Sequence, residues 1–576
     1  MKIFKIAFGL AMPIAWLFAS ACTGAIHLRD HIDARKIQVE RHERAENYTL
    51  YLQAHHAALT NQADKAAAIY GQFASRNGEN TELTERAVFY NLLQGHLAEA
   101  QALSQNLSKD QLQTATLSRL MIALDNFDTG NSRKNLALLQ TRDQASLEDI
   151  LCQLLYSWAL IETRGLTASL THLDRLSSDI PLISGLIGAN RGYLQIYAGE
   201  TEAALITFQS LWDENIKLAS TVHPLAILLH RSGQTEAAIA VLEKFKASAG
   251  YNAHLEATRR KIEAGKSLNL SRPNVKEGAA LAIYLSGAVL SSQKKPALSQ
   301  IYYTLALDLN PDLDVARPLL ADIQMRAKQY DRAKDYLTGI EPKSDFYMIA
   351  QIQTASILAK AGESVTARQT LDEVQSMDMD PFLRFQSAML YRKLGAYETA
   401  KALVNTLIMD QASAAQKDWR YYYARAELFK QTGYWPEAEA DYLEALRLTP
   451  DNPAVLNALG YGWIEQDKHH SEAIKYLTKA ARLRPHSGAI TDSLGWAFFK
   501  TGQYEAAVIF LERAVAVSPG SQVINEHLGD AYWQVGRKRE AGFQWQRAKR
   551  VDPESQRIPA LQTRLAEGLA SAQSSP

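Results

Sequence analysis

The chain has 576 residues, with 62 basic and 62 acidic side chains, so its formal net charge is zero. A neutral chain has no overall field that would favour nucleic acid or an anionic membrane surface. The chain is too long for one globular core, but an array of repeats has no such limit because each repeat contacts only its neighbours. Only 17 prolines, 30 glycines and two cysteines indicate a helical chain without a disulfide framework.

The first 21 residues have the pattern of an export signal. Lys2 and Lys5 form a charged start, residues 6–18 form an apolar core, and Ala-Ser-Ala at 19–21 offers a cleavage site. This core is too short to span a bilayer, and no later stretch reaches the roughly 18 apolar residues that a span needs. The sequence therefore predicts a signal peptide over residues 1–21 and an exported protein.

Cys22 directly follows the predicted cleavage bond. Residues 18–22, Phe-Ala-Ser-Ala-Cys, resemble a bacterial lipobox, whose cysteine takes a diacylglycerol before cleavage. Alanine at position 19 replaces the usual leucine, and small residues at 19 and 21 also suit ordinary signal peptidase. Two outcomes stay open: a lipidated Cys22, or a soluble periplasmic protein with an unmodified thiol. Thr23, where inner-membrane lipoproteins carry Asp, resembles the sorting pattern for the outer membrane.

The rest of the chain divides by charge and by repeat spacing. Residues 22–48 are polar and predict a tether. A small residue on one helix, a turn glycine and an alanine recur in degenerate form through the first half, and this register breaks near Tyr251. We therefore predict degenerate repeats over 49–264, a junction over 265–277, further repeats over 278–410, well-formed repeats over 418–554, and a capping helix with a tail over 555–576.

The clearest pattern lies in the last third of the chain. Leu-Gly pairs end at Gly460, Gly495 and Gly529, and prolines close each unit with the same step of about 34 residues. This spacing is the tetratricopeptide-repeat pattern, a helix–turn–helix unit that stacks into a solenoid. The sequence predicts an all-α solenoid of roughly fourteen such pairs. We assign packing at helix crossings to Ala426, Gly460, Gly495 and Gly529 on first helices and to Ala438, Ala473, Ala507 and Ala541 on second helices.

The sequence contains no motif that carries chemistry. It has no zinc-protease helix, no phosphate-binding loop and no nucleophile elbow. The histidine pairs 55–56 and 469–470 are adjacent residues, which rarely converge on one metal ion. We therefore predict a non-enzyme without catalytic residues, cofactor, metal or small-molecule substrate.

What remains is a surface for other proteins. In a tetratricopeptide solenoid the first helices line the concave face, where aromatic side chains with a polar group suit an interface. Acidic residues among them argue against a receptor for acidic tails and favour a neutral or basic segment. The alternative is that the tryptophans only pack one repeat on the next. The predicted groove consists of Tyr423, Asn457, Tyr461, Asp492, Trp496, Phe499, Glu526, Asp530 and Trp533, with Glu427 beside them.

One stretch resembles a known family. Residues 492–496, Asp-Ser-Leu-Gly-Trp, and 526–533, Glu-His-Leu-Gly-Asp-Ala-Tyr-Trp, followed by Gly536-Arg537 and Glu540-Ala541, are similar to the C-terminal signature of large bacterial tetratricopeptide-repeat proteins. This family includes exported outer-membrane lipoproteins. Some of them are adaptors that bring cell-wall hydrolases to a carboxy-terminal processing protease. The resemblance implies an envelope scaffold that presents substrates to a protease.

Three functions compete on this evidence. The leading one is a protein-binding scaffold or adaptor at the periplasmic face of the outer membrane, held there only through a lipid on Cys22, and with no nucleic acid among its partners. The alternative is an assembly factor, similar to a pilotin, for a secretion, pilus or other envelope machine, although such proteins are usually shorter. The third is an enzyme with an unrecognised site.

Overall fold

The computed structural model describes residues 45–60, 62–76, 80–140, 146–412 and 417–569. The predicted signal peptide, Cys22, most of the tether and the last seven residues lie outside this range. The described residues form 29 α-helices and one short 3₁₀ turn (Gln111–Gln113), and they contain no strand. The predicted all-α class is confirmed. The first helix already includes residue 45, inside the predicted tether.

The helices form two compact units, one ending at Ile357 and the other beginning at Leu358. The first unit holds α1 (residues 45–59), α2 (Ala63–Arg76), α3 (Thr81–Leu93), α4 (Leu97–Gln105), α5 (Thr116–Asp128), α6 (Ser132–Leu138), α7 (Leu147–Leu173), α8 (Pro181–Ala198), α9 (Thr201–Asp213), α10 (Ala219–Arg231), α11 (Thr235–Ala249), α12 (Ala253–Glu263), α13 (Val275–Ser292), α14 (Pro296–Leu309), α15 (Ala316–Arg326) and α16 (Tyr330–Thr338).

The boundary between the units falls inside α17 (Tyr347–Lys360). The second unit holds α18 (Ser364–Gln375), α19 (Pro381–Lys393), α20 (Tyr397–Asp410), α21 (Trp419–Gln431), α22 (Trp435–Leu448), α23 (Pro453–Glu465), α24 (His470–Leu483), α25 (Gly488–Lys500), α26 (Tyr504–Val517), α27 (Gln522–Gln534), α28 (Lys538–Val551) and α29 (Ile558–Glu567).

Consecutive helices pair as the repeat spacing requires. Helix α7 is two arms, because Gly165 inside it has a φ of 82° that no helix contains. With α7 counted twice and α12 and α29 left single, the described helices make fourteen pairs. The turn within a pair uses a left-handed residue, for example Gly502 with a φ of 77°, a conformation that glycine adopts at little cost. Side-chain caps then start the next first helix, as Ser487 does by accepting a hydrogen bond from the Ile490 amide.

The first unit departs from a simple row of repeats. The segment over the predicted junction, 265–277, leads into α13, which packs back against α5, α7 and α8. The approach is close, since a Cβ added at Gly278 would lie 2.3 Å from the Trp158 ring. Helix α14 likewise reaches α3, where Gln300 Nε2 donates a 2.8 Å hydrogen bond to the Leu93 carbonyl. Residues on both sides of the predicted junction thus share one hydrophobic core, and the predicted domain boundaries themselves stay predictions.

The second unit is a regular stack in which first and second helices cross closely. An added Cβ would lie 2.9 Å from Leu477 Cγ at Gly460, 2.7 Å from Leu511 Cγ at Gly495, and 2.4 Å from Trp545 Nε1 at Gly529. The five alanines assigned to the crossings, Ala426, Ala438, Ala473, Ala507 and Ala541, have no exposed surface. Small side chains therefore set the distance between the two helices of each pair.

We predict that Gly495→Leu destabilises the second unit by about 1–3 kcal/mol or more, because the new side chain would overlap Leu511. The loss of hydrogen-exchange protection should spread first to the pairs on either side, since coupling runs through neighbours. Gly542→Leu is the matched control. Its glycine lies in α28 with no atom within 4 Å of an added Cβ, so its thermal midpoint should not fall. Loss of protection confined to α1–α6 would contradict this account.

Candidate partner-binding groove

The second unit contains a groove on the first helices of four successive repeats. It has a volume of about 320 Å³ and is lined from α21, α23, α25 and α27. Four of the nine residues predicted for the groove line it, namely Tyr423, Asn457, Tyr461 and Asp492. Five do not line it, namely Trp496, Phe499, Glu526, Asp530 and Trp533.

Two tyrosine rings dominate the groove wall. Tyr461 and Tyr423 are half-buried, and burial raises the pKa of both hydroxyls to about 12, so both stay neutral at physiological pH. Lys430, which sequence analysis missed, places its Nζ 5.9 Å from the Tyr461 ring centre. The Tyr423 ring lies 5.9 Å from that of Tyr442, whose hydroxyl donates a hydrogen bond to Glu427. The groove therefore offers two aromatic faces with polar groups beside them.

The acidic side chains predicted along the groove already have partners within the chain. Asp492 is buried, and its Oδ1 lies 3.0 Å from His527 Nδ1. Glu526 is buried too, with Arg557 Nη1 2.8 Å from its Oε2 and Arg564 Nη2 3.2 Å from its Oε1. These carboxylates were expected to meet a partner and favour a basic segment. They instead have partners within the chain. His527 lies beside Asp492, and Arg557 and Arg564 form ion pairs with Glu526.

Asp530 is the most deeply buried of these acids, at 1% exposure. Arg564 Nε donates to its Oδ1 at 2.9 Å, and Trp545 Nε1 donates to the same oxygen at 2.9 Å. Burial raises the pKa of Asp530, although Arg564 acts in the opposite direction. Removing a carboxylate from water is costly unless it is paired. The pairs with Arg564 therefore attach α29 to α27.

The remaining predicted aromatic residues pack between elements. Trp496 lies 3.9 Å from His527 and 4.7 Å from Phe499 between ring centres, both nearly parallel, and its Nε1 donates a 2.8 Å hydrogen bond to Glu465. Trp533 lies against Trp545 and against the backbone at Gly568, just beyond α29. The contacts of Trp496 with Glu465 and His527 join one repeat to the next, as the packing alternative expects, whereas Trp533 packs within its own helix pair and against the segment after α29.

The described part of the chain contains neither a cluster of metal-ligating side chains nor a helix suited to a membrane. No three histidine, cysteine, aspartate or glutamate side chains there converge on a position that could hold a metal ion. No helix within those same ranges combines the length and the apolar character needed to cross a bilayer.

Comparison with known proteins identifies part of the chain as tetratricopeptide repeats. A tetratricopeptide-repeat family model matches residues 369–548. A stretch of 199 residues is 30% identical to the TPR repeat-containing protein PA4667 of Pseudomonas aeruginosa, covering 33% of this chain and 32% of that relative. The chain thus matches about a third of that relative's length.

Solved structures are more distant. A chain of the APC/C hetero-tetramer Cut9–Hcn1 aligns over 90% of this chain and 96% of its own, at 15% identity and a TM-score of 0.36. YrrB, described as a TPR protein with an unusual peptide-binding site, covers 32% of this chain at 18% identity and a TM-score of 0.26, over 92% of its own length. The family match and the paired helices together show that the fold is a tetratricopeptide-repeat solenoid, a fold that generally forms non-enzymatic scaffolds for other proteins.

We predict that Arg564→Ala lowers the stability of the second unit by about 3 kcal/mol at pH 7, because it leaves the buried Asp530 carboxylate without its cation, while Glu526 keeps Arg557. The pKa of Asp530 should rise further in the variant, so protonation removes part of the penalty and the deficit should shrink as the pH falls towards 4. Denaturant titrations at several pH values measure this. Arg547→Ala, an exposed arginine on α28, should show no deficit, and a deficit at Arg564 that stays constant with pH would contradict the assignment.

Proposed function

We propose that this chain is an adaptor that holds a segment of another protein in the groove around Tyr423 and Tyr461. The observation that supports it is the groove itself. Four first helices contribute to one concave surface with two aromatic faces, which is the kind of surface that dominates binding energy at interfaces. An array of tetratricopeptide repeats without a recognised catalytic motif would act by binding other proteins through such a surface.

The bound segment is extended or helical. Backbone polar groups of an extended segment could pair with Asn457, and apolar side chains could cover the tyrosine rings. Glu427 is engaged by Tyr442, and Lys430 lies over Tyr461. Glu526 and Asp530 are paired with arginines and do not line the groove, and Lys430 accompanies the two carboxylates that do, Glu427 and Asp492. The proposal therefore drops the preference for basic segments that the unpaired acids would have given.

We also propose that the adaptor works at the periplasmic face of the outer membrane, held by a lipid on Cys22. The supporting evidence is the signal pattern over residues 1–21 and the cysteine at its cleavage bond. Within that location, the resemblance over residues 492–541 supports presentation of cell-wall hydrolases to a carboxy-terminal processing protease. Affinity purification from envelope extracts would separate this role from an assembly factor, since the captured partners would be a protease and hydrolases in one case and secretion or pilus components in the other.

We predict that Tyr461→Ala reduces capture of the partner by at least 10-fold, because an aromatic anchor at an interface typically contributes about 2 kcal/mol. The thermal midpoint should change little, since the ring is half-exposed. Trp496→Ala should do the reverse, with a lower midpoint and capture retained below it. Quantitative pull-down and thermal melts on the same variants measure both effects.

Tyr434→Ala is the matched control for that experiment. This tyrosine is 53% exposed and does not line the groove, so capture should be unchanged. The groove assignment fails if Tyr461→Ala and Tyr434→Ala capture the partner as well as the wild type does.

We predict that Cys22→Ser converts a membrane-bound protein into a soluble periplasmic one. Loss of the thiol removes the only position at which the mature chain could take a diacylglycerol by the lipobox route. Fractionation of envelopes and labelling with palmitate measure the change. Wild-type protein that is already soluble and takes up no palmitate would refute the anchor without affecting the groove.

A further inference from the structure

The first unit contains a cavity of its own, apart from the groove of the second unit. It has a volume of about 340 Å³ and lies between α8, α10, α12 and α13, closed by the loops before α15 and α17. We propose that this cavity binds the side chain of an arginine presented by a partner protein. The proposal concerns the first unit alone and does not depend on the groove of the second unit.

Aromatic rings from three different elements form one side of the cavity. The rings of His223 on α10 and His254 on α12 have centres 3.8 Å apart, and Phe346 lies 5.6 Å beyond His254 and nearly parallel to it. Tyr193 and Tyr284 supply further aromatic surface from α8 and α13. A planar cation is the ligand that such rings favour, because it can stack on a ring face and interact with its negative potential.

Hydrogen bonds hold two of these rings, His254 and Tyr193, in place. His254 Nδ1 lies 3.1 Å from Asp345 Oδ2, and Lys261 Nζ lies 2.8 Å from Asp345 Oδ1. Burial alone would raise the pKa of Asp345, but the hydrogen bonds from His254 and Lys261 lower it to about 2, so this carboxylate stays charged. The Tyr193 hydroxyl donates a 2.7 Å hydrogen bond to the Ser220 carbonyl. A binding site that is already formed spends little free energy on ordering its own side chains.

Other polar groups of the cavity have no partner. Within the described residues, neither the Tyr284 hydroxyl nor the ring nitrogens of His223 form a hydrogen bond. Two carboxylates lie at the edge, Asp314, whose Oδ1 is 3.4 Å from Arg317 Nε, and Asp312, which is exposed and has no described cation within 4 Å. Acceptors and a negative charge thus remain available to an entering group.

These features select arginine among the common side chains. A guanidinium is planar, always charged and carries five N–H donors, so it can stack on the rings while it donates to Asp312 and to the Tyr284 oxygen. A lysine ammonium would gain the charge attraction without the stacking. An acidic group would meet the two carboxylates at the edge and be repelled.

His223 makes the proposed site sensitive to pH. Burial, and then the neighbouring His254, lower the pKa of His223 well below its usual value, so the ring is neutral at pH 7. Lys261 acts in the same direction, and Asp345 opposes it. When acid finally protonates His223, the new charge faces the bound guanidinium across the cavity. Binding should therefore weaken as the pH falls below the usual histidine range.

The test uses the full chain and three short peptides that differ at one position. The probe is an acetylated, amidated pentapeptide with a central arginine between glycines. The second peptide carries citrulline, which has the same shape without the charge, and the third carries lysine. Saturation-transfer NMR and calorimetry at pH 7.5 should show the arginine peptide binding at least 10-fold more tightly than the citrulline peptide and more tightly than the lysine peptide.

Variants then locate the site. Asp312→Asn and His223→Lys should each weaken binding of the arginine peptide at least 5-fold, whereas Asp331→Asn and His96→Gln, exposed positions of the same unit outside the cavity, should have no effect. His223→Gln should keep binding as the pH falls below the usual histidine range, where the wild type loses it.

Three results would overturn the proposal. Equal affinity for arginine and citrulline would show that charge plays no part. The absence of any binding up to several millimolar would show that the cavity is not a site for this side chain. Binding that is unchanged in Asp312→Asn and His223→Lys but lost in Tyr461→Ala would assign the peptide to the groove of the second unit.

Discussion

The structure depends on how closely two helices can approach within one repeat. Glycine or alanine at the crossing removes the side chain that would hold the helices apart, and the larger residue opposite fills the space, as Leu511 does at Gly495. Because the crossing recurs about every 34 residues, one local rule produces the whole second unit. The first helices then align side by side, and this alignment forms the groove around Tyr423 and Tyr461.

Helix α29 is held against α27 by ion pairs as well as by hydrophobic contact. Helix α29 covers the last apolar face with Leu561 and brings Arg557 and Arg564 to the buried acids of α27. In an internal repeat the equivalent position would be covered by the next first helix, as α27 covers α25 with His527 on Asp492. The acidic side chains of first helices are therefore part of how one repeat binds the next.

The repeat fold could be predicted from the sequence because its cause is local. Composition, period and small residues such as Gly460 lie within one repeat, and each constrains the same two helices. The groove was only half predictable. Tyr461 lines the groove, as its position in the repeat predicts. Asp530 is instead paired with Arg564, which lies in α29 and outside the repeat pattern. The repeat spacing predicts which side of a helix a residue lies on. It does not predict a contact with a residue outside the repeats.

The cavity of the first unit was missed for the same reason. His223, His254 and Asp345 come from three elements, and their only sequence signal is that the two histidines lie close to one repeat apart. The packing of α13 against α7 could not be predicted from the repeat spacing either. Degenerate repeats predict contacts between neighbouring helices but not contacts between helices distant in sequence. This packing depends on the fit of Gly278 against Trp158.

This packing changes how the first unit can be made. A regular solenoid can fold repeat by repeat as it is synthesised, because every contact is with a neighbour. Here the Leu93 carbonyl accepts a hydrogen bond from Gln300, which is synthesised 207 residues later, and the Gln94 carbonyl accepts one from Arg332. At ribosomal speeds that gap is on the order of 10–40 s. During that time apolar surfaces of α3 and α7 lack their final cover, so the nascent first unit is the part of this chain that most needs protection from aggregation.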